Sequence, residues 1–192
     1  MNAHAQLPRL VQCVERPHLI DKLREAATHD VMLVCAPPGY GKSTTVAQFL
    51  EQEAQPVAWY TLDSRDRDGF MLDRQFRRHL SAAVGEDIAQ PGYMAGGQEL
   101  ATELTDRLRN QFSTPLTLVL DDLHHIEGSA SATAWLNTLV TNLPLHCRLV
   151  LISRMVPQLP YTNLVGQSRI GVIEKEDLAF TQADISPLQE VY

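Results

Sequence analysis

Residues 36–43 read Ala-Pro-Pro-Gly-Tyr-Gly-Lys-Ser, with the apolar run VMLVCA at 31–36 leading into them and an amphipathic segment at 43–54 following. Few short patterns restrict a fold as much. Gly39 and Gly41 let the main chain turn so that successive amides converge on one point, and a helix beginning at once adds the positive end of its dipole there. Strand, glycine turn and helix in this order make a phosphate-binding loop, and the strand needs a parallel sheet to hold it. On this reading Pro38, Gly39, Tyr40, Gly41, Lys42, Ser43 and Thr44 surround the phosphates of a nucleotide. Lys42 bridges the terminal phosphates, Ser43 offers a hydroxyl to Mg2+, and Thr44 faces the α-phosphate side. Tyr40 has a simpler alternative, packing over the loop. The usual first glycine is replaced by Ala36, where the tight curvature is not needed.

The rest of the chain supplies the sheet. Apolar runs at 57–62, 116–120, 148–152 and 170–173 are short and nearly continuous, as strands buried on both faces are. Segments with helical spacing lie at 17–28, about 70–85, 98–112 and 130–142. Alternating strands and helices predict an α/β fold, a three-layer sandwich around a mainly parallel five-stranded sheet. Pro17 suits the first turn of its helix, and the stretch 86–97 is rich in turn residues and reads as a surface loop. Thr181 is placed to cap a helix starting at Gln182, interrupted at Pro187. The nucleotide-binding domain is therefore expected over 1–181, and 182–192 reads as the start of a further helical region cut at Tyr192.

A chain of 192 residues can bury an adequate core without cross-links. Its three cysteines, Cys13, Cys35 and Cys147, are widely spaced and form no CxxC pair, which argues against a disulfide framework or a zinc site and fits a reducing cytoplasm. No apolar run approaches the ~20 residues of a membrane span, and the N-terminus lacks the apolar core of a signal peptide. The net charge of -7 speaks against a nucleic-acid surface in this segment, because phosphate contacts need clustered Lys and Arg.

A phosphate loop that uses Mg2+ needs a second carboxylate, and Asp121-Asp122 follows the apolar run LTLVL at a strand end. Asp121 is the expected Mg2+ holder and Asp122 the carboxylate that orients an attacking water. His124 stands open between sensing the terminal phosphate and an ordinary surface position, whereas His125 reads as surface. Arg154 ends the next apolar run, on the same sheet edge, within reach of a γ-phosphate. Arg74, Arg77 and Arg78 cluster on one helical segment and read as its solvated face.

These residues together resemble the STAND class of P-loop ATPases, and within it the large ATP-binding, LuxR-type (MalT-like) transcription regulators. The resemblance covers nearly the whole chain. It rests on VERPHLIDKL at 14–23, LVCAPPGYGKSTTVAQF at 33–49, VAWYTLDSRDRD at 57–68, LVLDDLHHI at 118–126, LVLISRMVPQLP at 149–160 and LAFT at 178–181. It implies that the strand carrying Arg154 lies between those carrying the phosphate loop and Asp121, and that Arg154 reads the γ-phosphate. It also implies that the segment 10–28, through Arg16 and Pro17, lies against the adenine of ATP or ADP. Asp63, Asp66 and Asp68 match an acidic family stretch in which Arg67 replaces an asparagine; helix capping is the simpler explanation for all three. The family further implies a switch in which ATP favours an open, self-associating form and ADP a closed one, with DNA contacted only by a domain absent from this chain. The competing expectation is a small-molecule kinase or another metabolic P-loop enzyme.

Overall fold

Each apolar run forms a strand: β1 (Val31–Cys35), β2 (Val57–Thr61), β3 (Leu116–Asp121), β4 (Cys147–Ser153) and β5 (Ile170–Ile173). The computed structural model describes residues 16–88 and 96–181, with positions 7, 8, 10, 13, 14, 90 and 184 besides. Every strand pair is parallel and the order is β2-β3-β4-β1-β5, so the strand bearing Arg154 does lie between the other two. The helices are α1 (Pro17–Ala26), α2 (Lys42–Glu51), α3 (Gly69–Val84), α4 (Gly97–Gln111), α5 (Ala130–Thr141), α6 (Tyr161–Gly166) and α7 (Lys175–Leu178). The last two were not expected from the sequence, being too short for a hydrophobic period to show.

Successive side chains of a strand point to opposite faces, and in β1 this divides the core. Val31 and Leu33 join Leu72, Phe76, Leu104 and Trp135 under α3, α4 and α5. Met32 and Val34 join Leu19, Leu23, Phe49 and Leu50 under α1 and α2. The result is the three-layer sandwich that the alternation of elements predicts.

Local chemistry sets the helix ends. Asp68 caps α3 by accepting the amides of Phe70 and Met71, and Gly85 ends it in the left-handed region at φ 73°. Asp63 and Asp66 close a capping box over a single 3-10 turn at Ser64–Arg67, and the buried Asp66 also accepts the Tyr60 hydroxyl at 2.7 Å. Capping thus accounts for all three aspartates. At the starts of α3 and α4, a Cβ on Gly69 or Gly97 would fall 2.5 or 2.2 Å from atoms of Ser131, so both helices begin hard against α5.

Two expectations are corrected. Arg77 is not on a solvated face but fully buried. Its Nε donates to Asp73 at 2.5 Å and its Nη2 to the Leu100 carbonyl at 3.2 Å, while Asp73 also accepts the Trp135 indole N–H at 2.8 Å. The reason is rotational: four residues after Asp73 and one after Phe76, position 77 looks toward α4 and α5, leaving only Arg74 and Arg78 exposed. Ile88, inside the expected surface loop, is likewise a core residue, and its amide donates to the Ser81 hydroxyl at 2.9 Å. Much of that loop, and the helix expected from Gln182 onward except Asp184, lies outside the described residues.

Candidate nucleotide site

The chain leaves β1 into a loop tied at its start to β4, where the Ala36 amide donates to the Ser153 carbonyl at 3.3 Å. Gly39 and Gly41 take φ 86° and 75°, values that side-chain-bearing residues rarely adopt. A Cβ on Gly39 would meet nothing within 4 Å, so its backbone conformation and not crowding calls for glycine there. Gly41 occupies the cap of α2 without a side chain to bind the first helical amides, which therefore face forward into the cradle. Lys42 is buried at the first helical position and its Nζ donates back to the Pro37 carbonyl at 3.1 Å. Pro38 and Gly39 form the exposed apex, and Ser43 and Thr44 follow half-buried. Tyr40, like Leu7 and Leu10, is partly buried and packs against the core under α1 and α2.

Parallel pairing brings the carboxyl ends of all strands to one edge, and the switch in strand order beside β1 opens a crevice there. Asp121, buried at the end of β3, accepts the Ser43 hydroxyl at 3.0 Å and the Asp122 amide at 2.8 Å. Asp122 takes φ 55°, and this left-handed turn aims its carboxylate at two basic side chains. Arg154 Nη2 and His124 Nδ1 each stand 3.6 Å from it. His124 is mostly buried, its Nδ1 has no hydrogen-bond partner among the described residues, and its ring lies 4.3 Å from that of His125. Lys42, Ser43, Asp121, Asp122, His124 and Arg154 are thus gathered at one place. Arg16 and Pro17 belong to a different one, at the start of α1, where the Arg16 guanidinium binds the carbonyls of Leu178 and Ala179. That partnership, and the role of the Pro37 carbonyl, left no signal in the sequence, because main-chain acceptors do not depend on residue type.

Burial shapes the electrostatics. It holds the Lys42 ammonium below its ordinary pKa, with Asp122 and Asp121 pulling the other way and Arg154 adding repulsion. The Asp121 carboxyl is raised by burial against the hydrogen bonds from Ser43 and the Asp122 amide, and His124 is lowered by burial and by Arg154. A buried cation short of counter-charge gains from an incoming polyanion. Adjacent hydroxyl and carboxylate oxygens on Ser43 and Asp121 suit a hard divalent cation, and Lys42 with the free α2 amides suits phosphate oxygens. The residues therefore fit a Mg2+-nucleotide.

A phosphate loop on an inner strand of a parallel sheet, with a carboxylate ending the strand two places away, defines the P-loop NTPase fold. The chain belongs to the AAA domain family, whose model matches residues 24–160. It is 31% identical over 186 residues to the HTH-type transcriptional regulator MalT of Cronobacter sakazakii, an alignment that takes in 92% of this chain and 20% of that protein. To MalT of Yersinia pestis it is 30% identical over 182 residues, 90% of this chain and 19% of the relative. The chain spans about a fifth of the length of these relatives. Among solved structures, a Walker-type ATPase of Pyrococcus abyssi superposes with a TM-score of 0.55 at 12% identity, over 98% of this chain and 61% of the other. Drosophila ORC bound to AT-rich DNA and Cdc6 gives 0.51 at 11% identity, over 91% and 63%. Among the described residues, no helix is long and apolar enough to cross a membrane.

Proposed function

We propose that this chain is the ATP-binding, slowly ATP-hydrolysing switch domain of a signal-responsive transcriptional regulator. The observation that carries the proposal is the cluster at the sheet edge, where Ser43 bonds to Asp121 at 3.0 Å and Asp122 sits 3.6 Å from Arg154, beside the buried Lys42. Lys42 and the amides of the loop hold the β- and γ-phosphates, Ser43 and Asp121 hold Mg2+, Asp122 orients water with His124 at its side, and Arg154 reads the γ-phosphate. Arg16 and Pro17 border the adenine. The hydrogen bond from Gln48 of α2 to the Val14 carbonyl supports this, since it lays that segment along the helix that carries the phosphate loop. The relationship to MalT supports the regulatory setting, with self-association in the whole protein and DNA contacted by another part of it.

Two carboxylates with different partners are expected to fail differently. Asp122→Asn lowers the rate of hydrolysis more than it lowers binding, because a group orienting water acts mainly in the transition state. Asp121→Asn weakens Mg2+-dependent binding instead. Phosphate release and calorimetric titration on both variants check this, and identical profiles remove the division of roles.

The function itself is tested at Arg154. A side chain that reaches only the γ-phosphate has no partner in ADP, so Arg154→Ala is expected to leave ADP affinity nearly unchanged and to weaken a non-hydrolysable ATP analogue about tenfold or more, a charge-assisted contact being worth ~1.5–3 kcal/mol. Parallel titrations decide it. Equal weakening of both ligands means that Arg154 only supports the site. The rival reading, transfer to a small-molecule acceptor, calls for a basic lid, and Arg77 is engaged in the core instead. Phosphate transferred to added acceptors instead of released to water would favour that rival.

A further inference from the structure

Arg16 serves two ends of the chain at once. Its carbonyl accepts the amides of Leu19 and Ile20 at 2.9 and 3.1 Å, beginning α1, while its side chain, with the residue 3% exposed, turns to the opposite terminus. There Nη2 donates to the Leu178 and Ala179 carbonyls at 3.0 and 2.9 Å, and the guanidinium lies 4.6 Å from the centre of the Phe180 ring. Nε stands 3.6 Å from the Asp184 carboxylate, too far for a hydrogen bond, and has no acceptor among the described residues. Asp184 is held in turn by the amide and hydroxyl of Thr181 at 2.7 and 2.8 Å, with His18 Nδ1 at 3.6 Å. Stretches 162 residues apart in sequence meet on this one side chain.

The segment before Arg16 is also fastened to the phosphate-loop helix, through the Gln48 bond to the Val14 carbonyl at 3.3 Å and the packing of Leu10 and Tyr40 on one apolar face. An approach of about 0.5 Å between Nε and the Asp184 carboxylate is enough to bring them into hydrogen-bond range. The buried, unpartnered Nε is a donor awaiting that acceptor.

We propose that Arg16 is a positioning residue that couples nucleotide binding to the docking of Leu178–Thr181 and Asp184. On the nucleotide reading above, on which this rests, a base seated beside Arg16 and Pro17 fixes the start of α1, closes Nε onto Asp184 and thereby sets the course of the chain where it leaves the sheet. Coupling of this kind is reciprocal. Whatever factor the nucleotide adds to the docking of that stretch, undocking the stretch takes the same factor from nucleotide affinity.

The 192-residue chain with Mg2+ and ADP allows both directions to be measured. Hydrogen exchange at the Thr181 amide is expected to slow roughly fivefold or more on adding ADP to the wild type, and to respond little in Arg16→Ala. Calorimetry should find ADP weakened by about the same factor in Phe180→Ala and Asp184→Asn, neither of which touches the phosphate loop. Arg16→Lys keeps the charge but loses the fork over two carbonyls, and should restore only part of the coupling. Full ADP affinity in Phe180→Ala and Asp184→Asn, with Thr181 exchange indifferent to ADP, makes Arg16 a static tie and overturns the proposal while leaving nucleotide binding intact. No ADP binding by the wild-type chain overturns the nucleotide reading and the coupling with it.

Discussion

Replacing Lys42 with alanine is expected to reduce affinity for both ADP and an ATP analogue by roughly ten- to a hundredfold, the scale set by ~1.5–3 kcal/mol for a charge-assisted contact. Both ligands suffer because both carry a β-phosphate. The structure adds a second, opposite expectation for the free protein. Burial lowers the Lys42 pKa, so the folded state disfavours this cation, and its Nζ donates to the neutral Pro37 carbonyl. Without nucleotide, Lys42→Ala should therefore unfold at the same temperature as wild type or higher. Calorimetric titration with Mg2+ and a thermal scan measure the two halves. Unchanged affinity would locate the phosphates somewhere other than this loop.

Arg77→Met should destabilise the fold by about 3–5 kcal/mol, because breaking a buried ion pair leaves its partner charged and unpaired. That is a large share of the ~5–15 kcal/mol available to a typical domain. The partner is Asp73, whose carboxyl is raised by burial even now, against the pull of Arg77 and Trp135. Once Arg77 is gone, the pKa of Asp73 rises further and the native state holds a proton that the unfolded state releases. Stability of the variant should then fall as pH rises from the ordinary carboxylate range toward the raised native value. Asp73→Asn combined with Arg77→Met keeps an acceptor for the Trp135 indole and should recover much of the loss. Denaturant unfolding at two pH values measures this, and a deficit below ~1 kcal/mol, indifferent to pH, contradicts a structural role for the pair.

The sheet and the phosphate loop were legible in the sequence for the same reason. Strands buried on both faces must be continuously apolar, and a loop that closes on phosphate must place glycine where φ is positive, as at 39 and 41. The carboxylates followed from chain position, since parallel strands deliver their ends to one edge. What could not be read depends on rotation or on the main chain. Arg77 differs from Arg74 and Arg78 only in the angle at which it leaves α3, and a run of arginines hides which one has a buried partner. Asp122 shows as a carboxylate in the sequence, but not as the left-handed residue whose turn sets it between Arg154 and His124. For Arg16 and Pro17 the family resemblance implied the adenine as a neighbour, and it gave no hint of the guanidinium's bonds to the carbonyls of Leu178 and Ala179.

The position of β1 in the sheet has a consequence in time. Although it is the first strand among the described residues, it pairs with β4 and β5, Val31 lying opposite Leu149 on one side and Ile170 on the other. Neither neighbour exists until most of the domain has left the ribosome, and such distant pairings form slowly because the long intervening loop must close first. β2 and β3, adjacent in the sheet, can pair long before. A nascent chain ending short of Ser153 therefore carries the glycines and lysine of the phosphate loop on a strand whose β4 neighbour is still incomplete.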